Sequence, residues 1–222
     1  TAMIVSIGLL TACGDDDNGL TTTIIPDTNV PEDIEGCFWG GPYSIDNPES
    51  NFAYPDTGAT YWHAKYSLPK DATLKLKGEY PSARYMSFNS YRQDASPAFA
   101  LKDKDIIANM DSINPFIQGA QRNSNKRGYE IELANGEAPI IPLNNTLYDY
   151  AQDNGESLLL YRVYVPDKGR DSTGGVGLPT PELTLGNGQV LMGQAVCDTL
   201  KSDQALIKIP FVPEQTYANL RQ

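Results

Sequence analysis

Ser157-Leu158-Leu159-Leu160-Tyr161-Arg162-Val163-Tyr164-Val165 is the most apolar of the strand-like segments in this chain of 222 residues. A short apolar run of this kind reads as a strand in the middle of a sheet. The segments around it carry strand signals of their own. Residues 61–68 (YWHAKYSL) alternate, placing Trp62, Ala64, Tyr66 and Leu68 on one face and Tyr61, His63 and Lys65 on the other. Leu74 and Leu76 alternate with Lys75 and Lys77, as in a half-buried strand. Residues 83–91 form a third such strand, with Met86 and Phe88 sharing a face with Arg84, and Tyr129, Ile131 and Leu133 share the face of a fourth. Residues 182–185 and 189–192 flank Gly186-Asn187-Gly188, a hairpin signal, because Gly and Asn accept positive φ at low cost.

Helical signals are weak. Residues 103–110 and 146–151 each read as two turns, and residues 213–220 as a helix with Pro213 in its first turn. Residues 36–60, dense in Gly, Pro, Asn and Asp, read as irregular chain. The expected class is all-β with minor α: an antiparallel β-sandwich or jelly-roll-like barrel with a few short helices.

The N-terminal region speaks of compartment. Leu10-Thr11-Ala12-Cys13 follows a short apolar run and precedes Gly14-Asp15-Asp16-Asp17. The run is too short for a membrane span, which takes roughly 20 apolar residues. It has the form of an export signal ending in small residues, with Cys13 as the lipidation site. Residues 1–13 are therefore read as a lipoprotein signal and lipobox. The opening on Thr1 without a charged start is read as truncation. Residues 14–35, acidic and with Pro26 and Pro31, read as a linker, residues 36–200 as the β-domain, and 201–222 as an extension leading on to a missing part. The expected location is a bacterial membrane surface, exposed to the periplasm or the cell exterior. The bilayer is the expected partner, through acylated Cys13.

With Cys13 assigned to lipid, Cys37 and Cys197 remain in an oxidising compartment and are expected to pair. The competing reading is two free thiols. A link over so long a loop stabilises by up to about 4–5 kcal/mol on the chain-entropy view. The formal net charge is −11 and the pI about 4.5, which disfavours nucleic acid and anionic lipid as partners. No metal or cofactor is expected. His63 is the single histidine, no paired cysteine spacing occurs, and Asp103, Asp105 and Asp111 do not follow a calcium-loop spacing and read as solvated charge.

Residues 83–91 (ARYMSFNSY), followed by Ile106-Ile107 and Ile113-Asn114-Pro115-Phe116, precede Leu160-Tyr161-Arg162-Val163-Tyr164 with Pro166. That order resembles the DUF1214/DUF1254-type β-rich family of exported bacterial proteins. Arg162-Val163-Tyr164-Val165-Pro166-Asp167 with Gly174-Gly175-Val176-Gly177-Leu178-Pro179 is similar, more closely still, to a set of actinobacterial and proteobacterial exported proteins, and the resemblance covers residues 60–200. The resemblance implies a fold and carries no activity with it.

Candidate chemistry is sparse. His63 is a possible general base, but no G-x-S-x-G nucleophile motif accompanies it, and the competing reading is a surface or cleft histidine without chemistry. The run Thr173-Gly174-Gly175-Val176-Gly177 lacks the Lys and Ser/Thr of a phosphate loop and reads as a long turn, with a ligand-contacting loop as the alternative. The 13 tyrosines and two tryptophans either fill the core or line a sheet face suited to a sugar or an apolar ligand. Arg84 and Arg162 on otherwise apolar strands must be paired or must face a cavity. The candidate ligand-binding residues are Tyr61, His63, Arg84, Tyr91, Arg162 and Tyr164. The expected function is a membrane-tethered lipoprotein acting as a ligand-binding or accessory subunit of a membrane or surface assembly. The alternative is a carbohydrate-active or other hydrolase or lyase with a cleft in the sandwich.

Overall fold

The computed structural model describes residues 35–44, 56–92, 94, 96–151 and 155–204. The lipobox with Cys13, the linker up to residue 34 and the helix expected over 213–220 lie outside these described residues.

In chain order the described elements are α1 (Glu35–Phe38), β1 (Gly40–Tyr43), β2 (Ala59–Tyr66), β3 (Thr73–Glu79), β4 (Ala83–Tyr91), β5 (Pro97–Lys102), β6 (Gly128–Asn135), β7 (Thr146–Asp149), β8 (Ser157–Pro166), β9 (Thr180–Thr184), β10 (Val190–Leu191) and α2 (Gln194–Leu200). They form two five-stranded sheets. Sheet I has the order β1-β2-β8-β4-β5 and sheet II the order β10-β9-β3-β6-β7. All pairs are antiparallel except β6 with β7. Among the described residues the sheets stay separate and no barrel closes, so the fold is a β-sandwich.

The apolar run at 157–165 becomes β8, and it lies in the centre of sheet I between β2 and β4. Alternation then sorts its side chains. Leu159, Tyr161 and Val163 are buried inward, while Leu158, Leu160, Arg162 and Tyr164 are half-buried on the outer face. On sheet II the same rule buries Leu74, Leu76, Tyr129, Ile131 and Leu133. The core between the sheets is built on aromatic rings. Tyr161 stacks on Phe88 at 4.8 Å between centroids, with Trp62 at 5.7 Å and Trp39 at 5.9 Å. Tyr129 joins them from sheet II, 6.1 Å from Phe88. Offset and tilted ring pairs at such spacings add to the burial of large apolar area.

The Cys37–Cys197 disulfide links α1 to α2 across 160 positions. It brings the two ends of the described domain together, as expected from the cysteine count. The hairpin β9–β10 also forms as expected, with Gly188 at φ 85° in the turn.

Three local expectations are corrected. Residues 146–151 are not helical: Thr146–Asp149 is strand β7, fully buried and parallel to β6. A two-turn helix gains little alone, and docking beside β6 supplies hydrogen bonds and burial instead. Residues 103–110 keep a single 3₁₀ turn, Asp103–Asp105. Side chains claim the carbonyls a longer helix would use: Asn114 Nδ2 donates to Asp103 O and Ile106 O, and Tyr80 Oη also donates to Ile106 O. Residues 36–60 are not wholly irregular, because α1 and β1 are ordered there by the disulfide and by pairing of β1 with β2.

Candidate functional site

The pairing register of sheet I explains why four of the six candidate residues meet. Tyr61 on β2 lies opposite Arg162 on β8, which lies opposite Ser87 on β4. One step along, Ala59, Tyr164 and Tyr85 form the next row. All point away from the core, since each is an odd number of positions from an inward residue of its strand.

At the centre of this face stands Arg162. Its Nη2 donates to Tyr91 Oη at 3.1 Å, and its guanidinium carbon lies 5.6 Å from the centre of the Tyr61 ring. The hydrogen-bond pattern orients the Asn89 amide with its oxygen toward the arginine, accepting from Nε at 3.0 Å and Nη2 at 3.3 Å, and from Ser87 Oγ at 2.9 Å. These partners are neutral, and among the described residues no carboxylate forms an ion pair with Arg162. Tyr61 and Tyr164 join their hydroxyls at 3.0 Å, and Tyr164 Oη donates to Asp56 Oδ2 at 3.1 Å. Tyr85 packs edge-on to Tyr164 at 5.6 Å. Burial, the bond to Tyr164 and its charge push the Tyr61 phenol above its usual range, with Arg162 pulling slightly the other way. Tyr61 therefore stays protonated at physiological pH and acts here as a ring and a neutral hydroxyl. The whole arrangement offers ring faces, hydroxyl tips and one guanidinium, which suits holding a polar ring-shaped or partly apolar ligand.

His63 shares this face by alternation but is fully buried. It lies beneath β1, where Gly40 is opposite, and a Cβ on Gly40 would overlap its imidazole. Tyr43 Oη and His63 Nδ1 share a hydrogen bond of 2.6 Å. Burial first, then the Lys65 charge, pushes its pKa down to about 4, with contacts to the Asp203 and Gly40 backbone opposing. His63 is thus a neutral packing residue, set apart from the half-buried tyrosines rather than on a surface or in a cleft.

Arg84 also departs from expectation. Its parity puts it with Met86 and Phe88, yet it sits near the end of β4 and is exposed to solvent. Water, rather than a carboxylate or a cavity, accommodates its charge. The candidates from residues 83–91 include Tyr91 but not Tyr85, Ser87 or Asn89, which share its face. The signal was the alternation itself. The turn at 173–177 is as expected: Asp171 Oδ1 accepts from Thr173 N, Thr173 Oγ1 and Gly175 N.

A buried polar pair was not foreseen. Tyr66 on β2 donates to Asp149 Oδ2 on β7, tying sheet I to sheet II. Burial raises the Asp149 pKa, and the bonds from Tyr66 and Ser157 lower it in part.

Among the described residues no group of three or more His, Cys, Asp or Glu is arranged to hold a metal ion, and no helix is long and apolar enough to cross a membrane.

No family model matches the chain, so the resemblance noted above stands on its quoted motifs alone, and no curated protein matches either. The chain is similar to an uncharacterized protein of known crystal structure from Burkholderia cenocepacia, with a TM-score of 0.41 and 12% identity. That likeness covers 83% of this chain and 40% of the other.

Proposed function

We propose that this protein is a membrane-tethered, exported lipoprotein that holds a small sugar-like or apolar ligand on the outer face of sheet I. The observation that carries the reading is the half-buried cluster of Tyr61, Tyr91 and Tyr164 around Arg162, whose charge has only neutral partners among the described residues. A surface patch built only for solubility has no need of tyrosines packed edge to face. The tether rests on the Leu10-Thr11-Ala12-Cys13 box.

A second observation favours an accessory role in an assembly. The loop between β6 and β7 exposes Ile140, Ile141 and Leu143, at 101%, 82% and 69% of full accessibility. Adjacent exposed aliphatic side chains mark contact surfaces.

One experiment addresses both roles: purify the full chain from native membranes and identify what accompanies it. A bound small molecule that is lost in Tyr61→Ala/Tyr164→Ala supports the ligand-binding reading. A protein companion lost in Ile140→Ser/Ile141→Ser supports the accessory one. Cys13→Ser is expected to move the protein to the soluble fraction. A lone protein with nothing bound, or membrane attachment indifferent to Cys13, rules the reading out.

A further inference from the structure

A cleft of ≈ 490 Å³ lies where the β3–β4 turn, the segment before β6 and the loop after β8 meet. Arg122, Arg127, Lys168 and Arg170 line it, with Glu79 and Asp167 as its carboxylates. In a chain with 28 acidic and 17 basic residues, four cations in one concavity against two carboxylates is a local reversal of charge.

Arg127 is the centre of it. It is 6% exposed, and three hydrogen bonds hold it, each ending on a neutral oxygen. Nε donates to Ser124 O at 3.1 Å, Nη1 to Ser82 Oγ at 2.7 Å and Nη2 to Arg122 O at 2.6 Å. No carboxylate lies within ion-pair distance among the described residues. Burial lowers the Arg127 pKa; the charges of Glu79 and Asp167 oppose this from beyond ion-pair distance, while those of Arg170 and Arg122 add to it, so the guanidinium gains from a further anion. The other cations are equally ready. Arg122 Nη2 donates to Ala83 O at 3.0 Å and stands 3.7 Å from Asp167 Oδ1, both side chains more than half exposed. Such a long, exposed pair is weak and easily exchanged for a better anion. Lys168 and Arg170 make no ion pair among the described residues.

The opposite wall is preformed. Gly174 has φ 70° and its carbonyl accepts from Ser82 N at 3.1 Å. A Cβ there would come within 2.6 Å of Pro81 Cβ and 2.9 Å of Ser82 N, so only glycine brings this loop against the β3–β4 turn. Asp171 spends its carboxylate on the turn's own N–H groups, through Thr173 and Gly175, and does not line the cleft. The volume falls in the range of small-molecule sites, and the amides of Asn123 and Asn125 add neutral hydrogen-bonding capacity.

We propose that this cleft binds the anionic group, phosphate or carboxylate, of a small polar solute, with the guanidinium groups of Arg122 and Arg170 closing on the oxygens and buried Arg127 supplying charge from beneath. Planar guanidinium forks match both anions in two-point geometry. The site is separate from the tyrosine face, and the fate of one proposal does not bear on the other.

The test is a titration of the full chain, followed by amide chemical shifts of Ser82, Gly174 and Gly175. The probes are inorganic phosphate, glucose 6-phosphate, glucuronate and neutral glucose. Saturable binding of at least one anion is expected, at a Kd of about 1 mM or tighter. Which of the three anions saturates distinguishes phosphate from carboxylate. Glucose is expected to be silent. Arg122→Gln/Arg170→Gln, at exposed positions that leave the fold intact, should weaken binding by about tenfold or more. Arg127→Gln is a further arm only if its thermal unfolding stays cooperative. No saturation by any anion, equal binding of glucose, or unchanged affinity in the Arg122/Arg170 variant overturns the proposal.

Discussion

On the outside of sheet II, Lys75 and Lys77 stand among Glu130 and Glu182, with Lys75 Nζ 2.7 Å from Glu130 and Lys77 Nζ 2.6 Å from Glu182. On the outside of sheet I, Arg162 stands among Asn89, Tyr91 and Tyr61. Both faces alternate with the same core, and both carry cations. Sheet II answers each cation with a carboxylate across the strand, a self-sufficient and well-hydrated ladder. Sheet I answers its cation with rings, an amide and hydroxyls, leaving its charge free to meet something else. Alternation along a strand tells which side chains face outward, and the chemistry of the cross-strand neighbours tells whether that side is finished.

The contrast applies only to the outward faces, and the inward ones give the largest effect. Tyr161→Ala removes the ring joining Phe88, Trp62 and Trp39, and should cost about 3–5 kcal/mol by urea unfolding. A cost near zero would mean that the two faces do not share one core.

Next in size is the row of sheet I that β1 covers. The His63 pKa is lowered from 6.5 to about 4 in the folded protein, so the unfolded chain binds its proton first as pH falls. Stability is complete above pH 6.5 and is lost progressively down to about pH 4, by on the order of 3 kcal/mol. Asp149 has a raised pKa, so it works in the other direction, favouring the folded state at low pH and losing that contribution as pH rises. The measurement is therefore a difference: unfolding free energy against pH for the native chain and for His63→Phe. The slope between pH 6.5 and 4 should flatten in the variant. Parallel curves would place His63 in contact with water, as an ordinary member of the face.

The smallest effects test the contrast itself. Arg162→Met strips Asn89 and Tyr91 of a charged donor and should cost about 1.5–3 kcal/mol, with little dependence on salt. Glu130→Gln on sheet II should cost less than about 1 kcal/mol, and 1 M NaCl should erase most of it. Equal costs with equal salt sensitivity would abolish the distinction between the faces.

Much of this was legible along the chain. The alternation in 61–68 and 83–91 is local, so the shared faces of Tyr61 and His63, or of Met86 and Phe88, follow from backbone geometry. The pairing of Cys37 with Cys197 follows from counting once Cys13 is set aside. Residues 146–151 suggest two helical turns because the segment has no period long enough to declare itself, and only β6 makes Thr146–Asp149 a strand. Arg84 and His63 depart from expectation for a related reason. Each lies on the strand its sequence indicates, but exposure depends on where the strand ends and on what lies over it.

The class of fold, the presence of β2, β3, β4, β6, β8 and the β9–β10 hairpin, the expected disulfide and the parity of most strand side chains can be read along the chain, because these depend on near neighbours and on a count of cysteines. The assembled sheets alone place β8 between β2 and β4, bury His63 under β1, bring Arg162 to Tyr91 from 71 positions away and gather Arg122, Arg127 and Arg170 in one cleft. Those facts are products of strand order and loop return. They are set by which burial and hydrogen-bonding arrangement is lowest for the whole chain, and no local window contains that sum.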